Sequence, residues 1–238
     1  MTKAGKKYIE AAAKVERQNI YSVAEAISLV KEVSYTKFDG TVEVHLRTSL
    51  DPRRADQTIR GVVRMPNGLG KSVRVVVFAA GEAAQIAKEA GADYVISDAE
   101  GIKRITDGWT DFDIAIAVPD MMRHVGRLGR VLGPRGLMPT PKTGTVVPAE
   151  DLPRVIDETK SGRVEYRLDR SANIHCPIGK VSFTEEQLLG NFSSLMSAIR
   201  RARPSAAKGN FIRRVTLAPT MGPGIKVDPA EALELEPA

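Results

Sequence analysis

Gly68-Leu-Gly-Lys-Ser72 carries the glycine–lysine–serine ending of a loop that cradles nucleotide phosphates. The first glycine of that motif falls at Met65, however, and the segment precedes a strand-like run instead of following one, so a P-loop is not expected. The turn after that run, Ala79-Ala-Gly-Glu82, is not the glycine fingerprint of a dinucleotide site either. His45, His124 and His175 are widely spaced and Cys176 is the lone cysteine, so no nucleophile–base pair, paired-carboxylate motif or metal cluster stands out. A nucleotide-binding enzyme is therefore the weaker alternative, and no cofactor is expected. The densest chemical signal runs from Val125 to Val147, rich in glycine, proline and arginine. Leu128, Val131 and Leu132 recur as on a helix face that Gly126 and Gly129 interrupt, each at a cost of about 1 kcal/mol. Gly133-Pro134 then stops the helix. Arg135 to Val147 reads as a long loop with a binding or structural role, because Leu137, Met138 and Val146 offer it apolar anchors.

The elements around these segments alternate in type. Val73 to Ala79 is an apolar run of strand length, Glu82 to Ala90 a helix closed by Gly91, and Tyr94 to Ser97 a strand. Glu100 to Asp107 reads as a helix and Asp113 to Val118 as a strand. A third helix faces inward with Met121, Val125, Leu128 and Leu132. That succession predicts a parallel sheet between helical layers, Rossmann-like in outline. The chain ends differ. Ser22 and Glu25 form a capping box before Val23, Ala26, Ile27, Val30 and Val33, and Thr41 to Arg47 alternates as a half-buried strand. Further strands are expected at Thr58 to Met65, Arg163 to Leu168, Ile174 to Phe183 and Asn210 to Leu217. A capped helix from Thr184 presents Leu188, Phe192, Leu195, Met196 and Ile199 on one face. The expected fold is thus α/β in two domains. Residues 1–66 and 160–238 form a discontinuous α+β domain, since neither end has enough strands alone, and 67–159 form an inserted three-layer α/β domain. Pro66-Asn-Gly-Leu-Gly70 and Thr159-Lys-Ser-Gly162 mark the crossings.

Charge follows the same division. Of the net charge of +6, residues 67–159 contribute −2, from 11 Lys and Arg against 13 Asp and Glu, and the flanks carry +8. Such clustering is the footprint of a body that grips a polyanion. An anionic membrane is the poorer partner, since no basic amphipathic helix with aromatic anchors is evident. No stretch approaches the ~20 apolar residues that span a bilayer. The opening Met1 to Lys7 has no apolar signal core, and one cysteine permits no internal disulfide, so a cytoplasmic location is expected. No helix-turn-helix or zinc pattern points to DNA. Aromatic residues make up only 5% of the chain, which disfavours a surface that stacks single-stranded bases. A surface that reads RNA shape through backbone, hydroxyl and cationic groups fits better.

Two segments of the flanks suit such a surface, Lys37-Phe-Asp-Gly-Thr-Val-Glu43 and Thr220-Met-Gly-Pro-Gly224. Small residues admit close backbone approach, and a threonine hydroxyl can both donate to and accept from a ribose 2′-hydroxyl. Taken alone, Phe38 reads as a core residue, Thr220 to Gly224 as a plain turn and His175 as a satisfied strand histidine.

The chain resembles the bacterial ribosomal protein L1 family over essentially its whole length. The matches are Lys6-Lys-Tyr8, Asp51-Pro-Arg-Arg54, Gly68-Leu-Gly-Lys71, Gly91-Ala-Asp-Tyr94, Gly108-Trp109, Ile178-Gly-Lys180, Thr220-Met-Gly222 and, most diagnostic, Leu128-Gly-Arg-Val-Leu-Gly-Pro-Arg-Gly-Leu-Met-Pro139. The resemblance implies a split RNA-binding domain interrupted by a Rossmann-like one, and no enzymatic activity. It implies binding to large-subunit ribosomal RNA of the mobile stalk, with Lys37, Phe38, Thr41, Glu43, Lys180, Ser182, Thr220, Met221 and Gly222 matching the contact surface. It further implies assistance to the release of exit-site tRNA, and translational repression through the chain's own operon mRNA. Pro219 stands where the family pattern has a threonine or serine, and Asp228 to Ala238 is expected to be a frayed acidic tail.

Overall fold

The computed structural model describes residues 4–207 and 209–236. Met1 to Lys3 of the basic opening, and Pro237 and Ala238 of the acidic tail, lie outside the described residues. In chain order the elements are α1 (Lys6–Ala13), α2 (Val23–Glu32), β1 (Thr41–Thr48), β2 (Arg60–Arg64), β3 (Val75–Phe78), α3 (Glu82–Glu89), β4 (Tyr94–Ile96), α4 (Ala99–Thr106) and β5 (Ile114–Ala117). After them come α5 (Met122–Val125), α6 (Gly129–Leu132), α7 (Leu152–Lys160), β6 (Arg163–Arg167), β7 (Asn173–Lys180), α8 (Glu185–Arg201), β8 (Ile212–Pro219), β9 (Ile225–Val227) and α9 (Pro229–Glu234). The fold is mixed α/β and divides into two compact units, Met1–Gly70 with Val164–Ala238, and Lys71–Arg163.

In the first unit a four-stranded sheet runs in the order β7-β1-β8-β9, with β1 antiparallel to both neighbours. The alternation in β1 does what period-two patterning requires. Val42, Val44, Leu46 and Thr48 are buried, while Thr41, Glu43, His45 and Arg47 line the outer face. Helix α8 covers the inner face by burying Leu188, Phe192, Leu195, Met196 and Ile199 in the same core as Val42, Val44 and Leu46. Full burial of one such side chain stabilises the fold by roughly 1.5–3 kcal/mol. Both capping boxes form. The Ser22 and Thr184 side chains accept from the N–H of Glu25 and Gln187, whose side chains accept in return from the cap N–H groups.

The second unit holds the parallel sheet β4-β3-β5. Strand β3 is buried on both faces. Val76 and Phe78 meet α4 residues and the Met121–Leu132 segment, while Val75 and Val77 meet α3 and α7. That segment keeps the inward stripe Met121, Val125, Leu128 and Leu132 but is no continuous helix: α5 and α6 are separated by a 3₁₀ turn at Gly126–Leu128. The two glycines weaken helix propagation, so the backbone tightens between turns while tertiary burial holds the stripe. Arg135 to Val147 is tied down. Leu137 and Met138 pack against the core, and Val146 bridges Ala117 in parallel, so the loop extends the sheet edge.

Two expectations are corrected, and one element is added. Helix α7 occupies a region that the sequence reading left unassigned, although Pro153 in its first turn is a favoured helix-start residue. The last long strand is displaced towards the C-terminus and ends at Pro219. The C-terminal stretch is not frayed at Asp228. The Asp228 side chain caps α9 by accepting from the Ala230 N–H, and Ala232 is fully buried against the first unit's core.

Candidate nucleic-acid interface

Nine residues were expected to share a surface, and the sheet register decides how many do. Thr41 opens β1 opposite Lys180 at the end of β7, while Val42 lies opposite Pro219 at the end of β8. Three distant segments therefore meet at one end of the sheet. The Lys180 Nζ donates to Thr41 Oγ1 at 2.9 Å. The Thr220 hydroxyl oxygen accepts from the Thr41 N–H at 2.8 Å and donates to its carbonyl at 3.1 Å. The Thr220 N–H donates to the same carbonyl at 2.9 Å. A bulge between Val42 and Glu43 lets β7 take an extra residue there and turns Lys180 towards Thr41.

The loops beyond the strand ends are cross-braced. Asp39 accepts from both the N–H (3.0 Å) and the Oγ (2.7 Å) of Ser182. The Val181 N–H donates to the Gly40 carbonyl at 2.9 Å. The Thr36 hydroxyl donates to the Phe38 carbonyl at 2.9 Å, and the Tyr35 hydroxyl to the Met221 carbonyl at 2.7 Å. On this frame Phe38 is 58% and Met221 71% exposed, two of only four large apolar side chains so exposed among the described residues. Phe38 is thus no core residue. Lys37 is exposed, Ser182 is exposed with its hydroxyl held by Asp39, and Gly222 is half-buried in the turn after β8. Glu43 lies further along the outer face, its Oε2 3.8 Å from His45 Nε2. The arrangement offers hydroxyls, one clamped ammonium and two apolar side chains over a rigid base, without a catalytic constellation.

Sequence spacing concealed several members. Tyr35 and Asp39 have partners 186 and 143 positions away, so neither carries a local signal. The histidines that looked isolated are cross-strand neighbours, with His45 Nδ1 and His175 Nδ1 2.8 Å apart. Desolvation and the neighbouring imidazole hold the His45 pKa below its usual value, against the opposing pull of Glu43. Next to them Arg47, Arg213, Arg214, Asn173 and Thr216 line a shallow open groove of about 620 Å³. Cys176 faces the other way, and burial pushes its thiol up to about 12, which leaves it inert as a nucleophile. The Gly68-Leu-Gly70 segment is a buttress. Gly68 and Gly70 both have φ of 66°, and a Cβ on Gly70 would lie 2.8 Å from the Phe183 ring and 2.9 Å from Lys180 Cγ. Buried Asn191 holds it, accepting from the Asn67 N–H and donating to the carbonyls of Gly68 and Ile178.

The chain is 61% identical over 237 residues to the large ribosomal subunit protein uL1 of Chloroflexus aurantiacus, covering 99% of this chain and 100% of that one. It is 57% identical over 229 residues to the large ribosomal subunit protein uL1 of Lactobacillus acidophilus, covering 96% and 98% respectively. Residues 30–223 match the family described as "Ribosomal protein L1p/L10e family", a span that includes all nine expected contact residues. The chain belongs to this family of ribosomal proteins.

Proposed function

We propose that this chain is a component of the large ribosomal subunit in the cytoplasm, and that its discontinuous unit grips a folded element of stalk ribosomal RNA. The carrying observation is the convergence of Thr41, Lys180 and Thr220 beneath exposed Phe38 and Met221. Lysines steer and hold phosphates, while braced hydroxyls and backbone groups suit a ribose-lined surface. In this reading residues 1–66 and 160–238 form the RNA-binding domain, and Lys37, Phe38, Thr41, Glu43, Lys180, Ser182, Thr220, Met221 and Gly222 make the contact surface. The inserted residues 67–159 do not supply the main grip. Bound to a mobile stalk, the protein assists release of deacylated tRNA from the exit site. The same surface represses translation of the chain's own operon by binding an mRNA element shaped like the ribosomal one. The test is filter binding of the full chain to a stalk RNA fragment at fixed salt. Unlabelled fragment is expected to displace the label, and duplex DNA of equal length is not. Equal displacement by the two competitors overturns the proposal.

A further inference from the structure

Two non-glycine residues among those described have left-handed backbone, Ala172 with φ of 61° and Met221 with φ of 62°. An L side chain is strained there, so each needs a cause. Ala172 has a structural one. It is buried, its carbonyl accepts from the N–H and hydroxyl of Thr48, and Asp169 closes its loop by accepting from Ser171 and Asn173. Met221 lacks the burial, its side chain being the most exposed of the large apolar residues among those described, and its carbonyl alone is engaged. It sits third in the turn from Pro219 to Gly222, which the Gly222 N–H closes on the Pro219 carbonyl at 2.9 Å. Glycine is the usual occupant of a left-handed third position. Here glycine comes one residue later, where a Cβ would lie 2.4 Å from the Pro219 ring.

The turn is held from outside. Thr220 is anchored on Thr41, and the Tyr35 hydroxyl donates to the Met221 carbonyl at 2.7 Å from a ring that packs against the core. That bond fixes the peptide plane following Met221 and with it the direction of the Cα–Cβ bond. We infer that Tyr35 is a positioning residue for RNA recognition, locking the strained Met221 backbone so that its Cα–Cβ bond already points towards the RNA. The inference rests on the RNA-binding reading above. Ordering the contact beforehand removes a cost that binding would otherwise bear.

The experiment compares native full-length protein, Tyr35→Phe, Met221→Ala and the double variant. Each is titrated with the stalk RNA fragment at low salt, and its melting temperature is measured. Tyr35→Phe keeps the packed ring and is expected to weaken binding roughly three- to tenfold, with melting unchanged. In the Met221→Ala background the same substitution is expected to change affinity less than about twofold, because no side chain remains to be aimed. Undiminished binding by Tyr35→Phe overturns the inference. So does an equal loss in both backgrounds, or a loss matched by lower melting temperature. Failure of the native protein to bind removes the RNA reading itself, and this inference with it.

Discussion

The Thr220 hydroxyl lies 2.8 Å from the backbone nitrogen of Thr41 and 3.1 Å from its carbonyl oxygen, so one side chain bridges both polar groups at the start of β1. A hydroxyl engaged in this way has its proton committed and one acceptor direction left over. It cannot donate freely to a ribose, as its residue type alone suggested. Its contribution is to seat the Thr220–Gly222 turn against the end of the sheet.

Thr220→Ala is therefore expected to weaken RNA binding and also to cost about 1 kcal/mol of stability. Met221→Asp behaves differently, because that side chain is exposed and its removal breaks no packing. Stability is expected to change by less than about 0.5 kcal/mol. Affinity is expected to fall roughly tenfold or more, as a carboxylate faces phosphate. Urea denaturation beside filter binding separates the two cases, and a large stability loss in Met221→Asp would contradict the geometry.

Asp39 is an acid on a surface proposed to meet a polyanion, so its removal tests what it does there. If bracing Ser182 matters more than repulsion, Asp39→Ala weakens binding roughly three- to tenfold. Asp39→Asn, which still offers an oxygen to the Ser182 N–H, stays near the native affinity. Tighter binding by the alanine variant would show that charge governs the position.

Asn191 is fully buried and serves Asn67, Gly68 and Ile178 at once. Asn191→Leu leaves the buried Ile178 carbonyl and two partly buried backbone groups without these partners and is expected to cost about 2–4 kcal/mol in urea unfolding. The loosened Gly68–Gly70 buttress also stands behind Lys180. RNA affinity measured where the variant is still folded is expected to drop as well.

The His45 pKa is lowered on folding by desolvation first and His175 second, so the native state holds this imidazole neutral more strongly than the unfolded chain does. The unfolded state binds more protons as pH falls below the ordinary value of 6.5. Stability from this group is fully present above 6.5 and is lost on acidification towards the folded pKa. His45→Gln is expected to flatten the fall in unfolding free energy between pH 7.5 and 5.5. Desolvation raises the Asp169 carboxyl, but N–H donors from Asn173 and Ser171 together hold it below its usual value, so its stabilisation is fully present above 3.8 and is lost only in the more acid range below that.

What could be read from residue order was whatever a short window encodes. The caps at Ser22 and Thr184, the alternation of Thr41 to Arg47 and the apolar run from Val73 to Ala79 are all of this kind. Short elements without a window of their own were lost. β9 is three residues long, and α9 lies in a stretch whose acidic residues resemble a tail. At the candidate interface, residue types and the resemblance singled out Thr41, Lys180 and Thr220, but their mutual contacts follow only from cross-strand register. Tyr35, Asp39 and the His45–His175 pair escaped for the same reason. Each is meaningful through a partner more than 125 positions away.

Strand β1 lies between β7 and β8, whose residues are separated from it by most of the chain. During synthesis Thr41 leaves the ribosome long before Lys180 and longer still before Thr220. β1 must wait for these partners while α3 to α7, which belong to the continuous unit Lys71–Arg163, can already assemble. On the RNA-binding reading, a nascent chain that lacks β8 lacks the Thr220 side of the proposed contact surface, which is complete only once β8 pairs with β1.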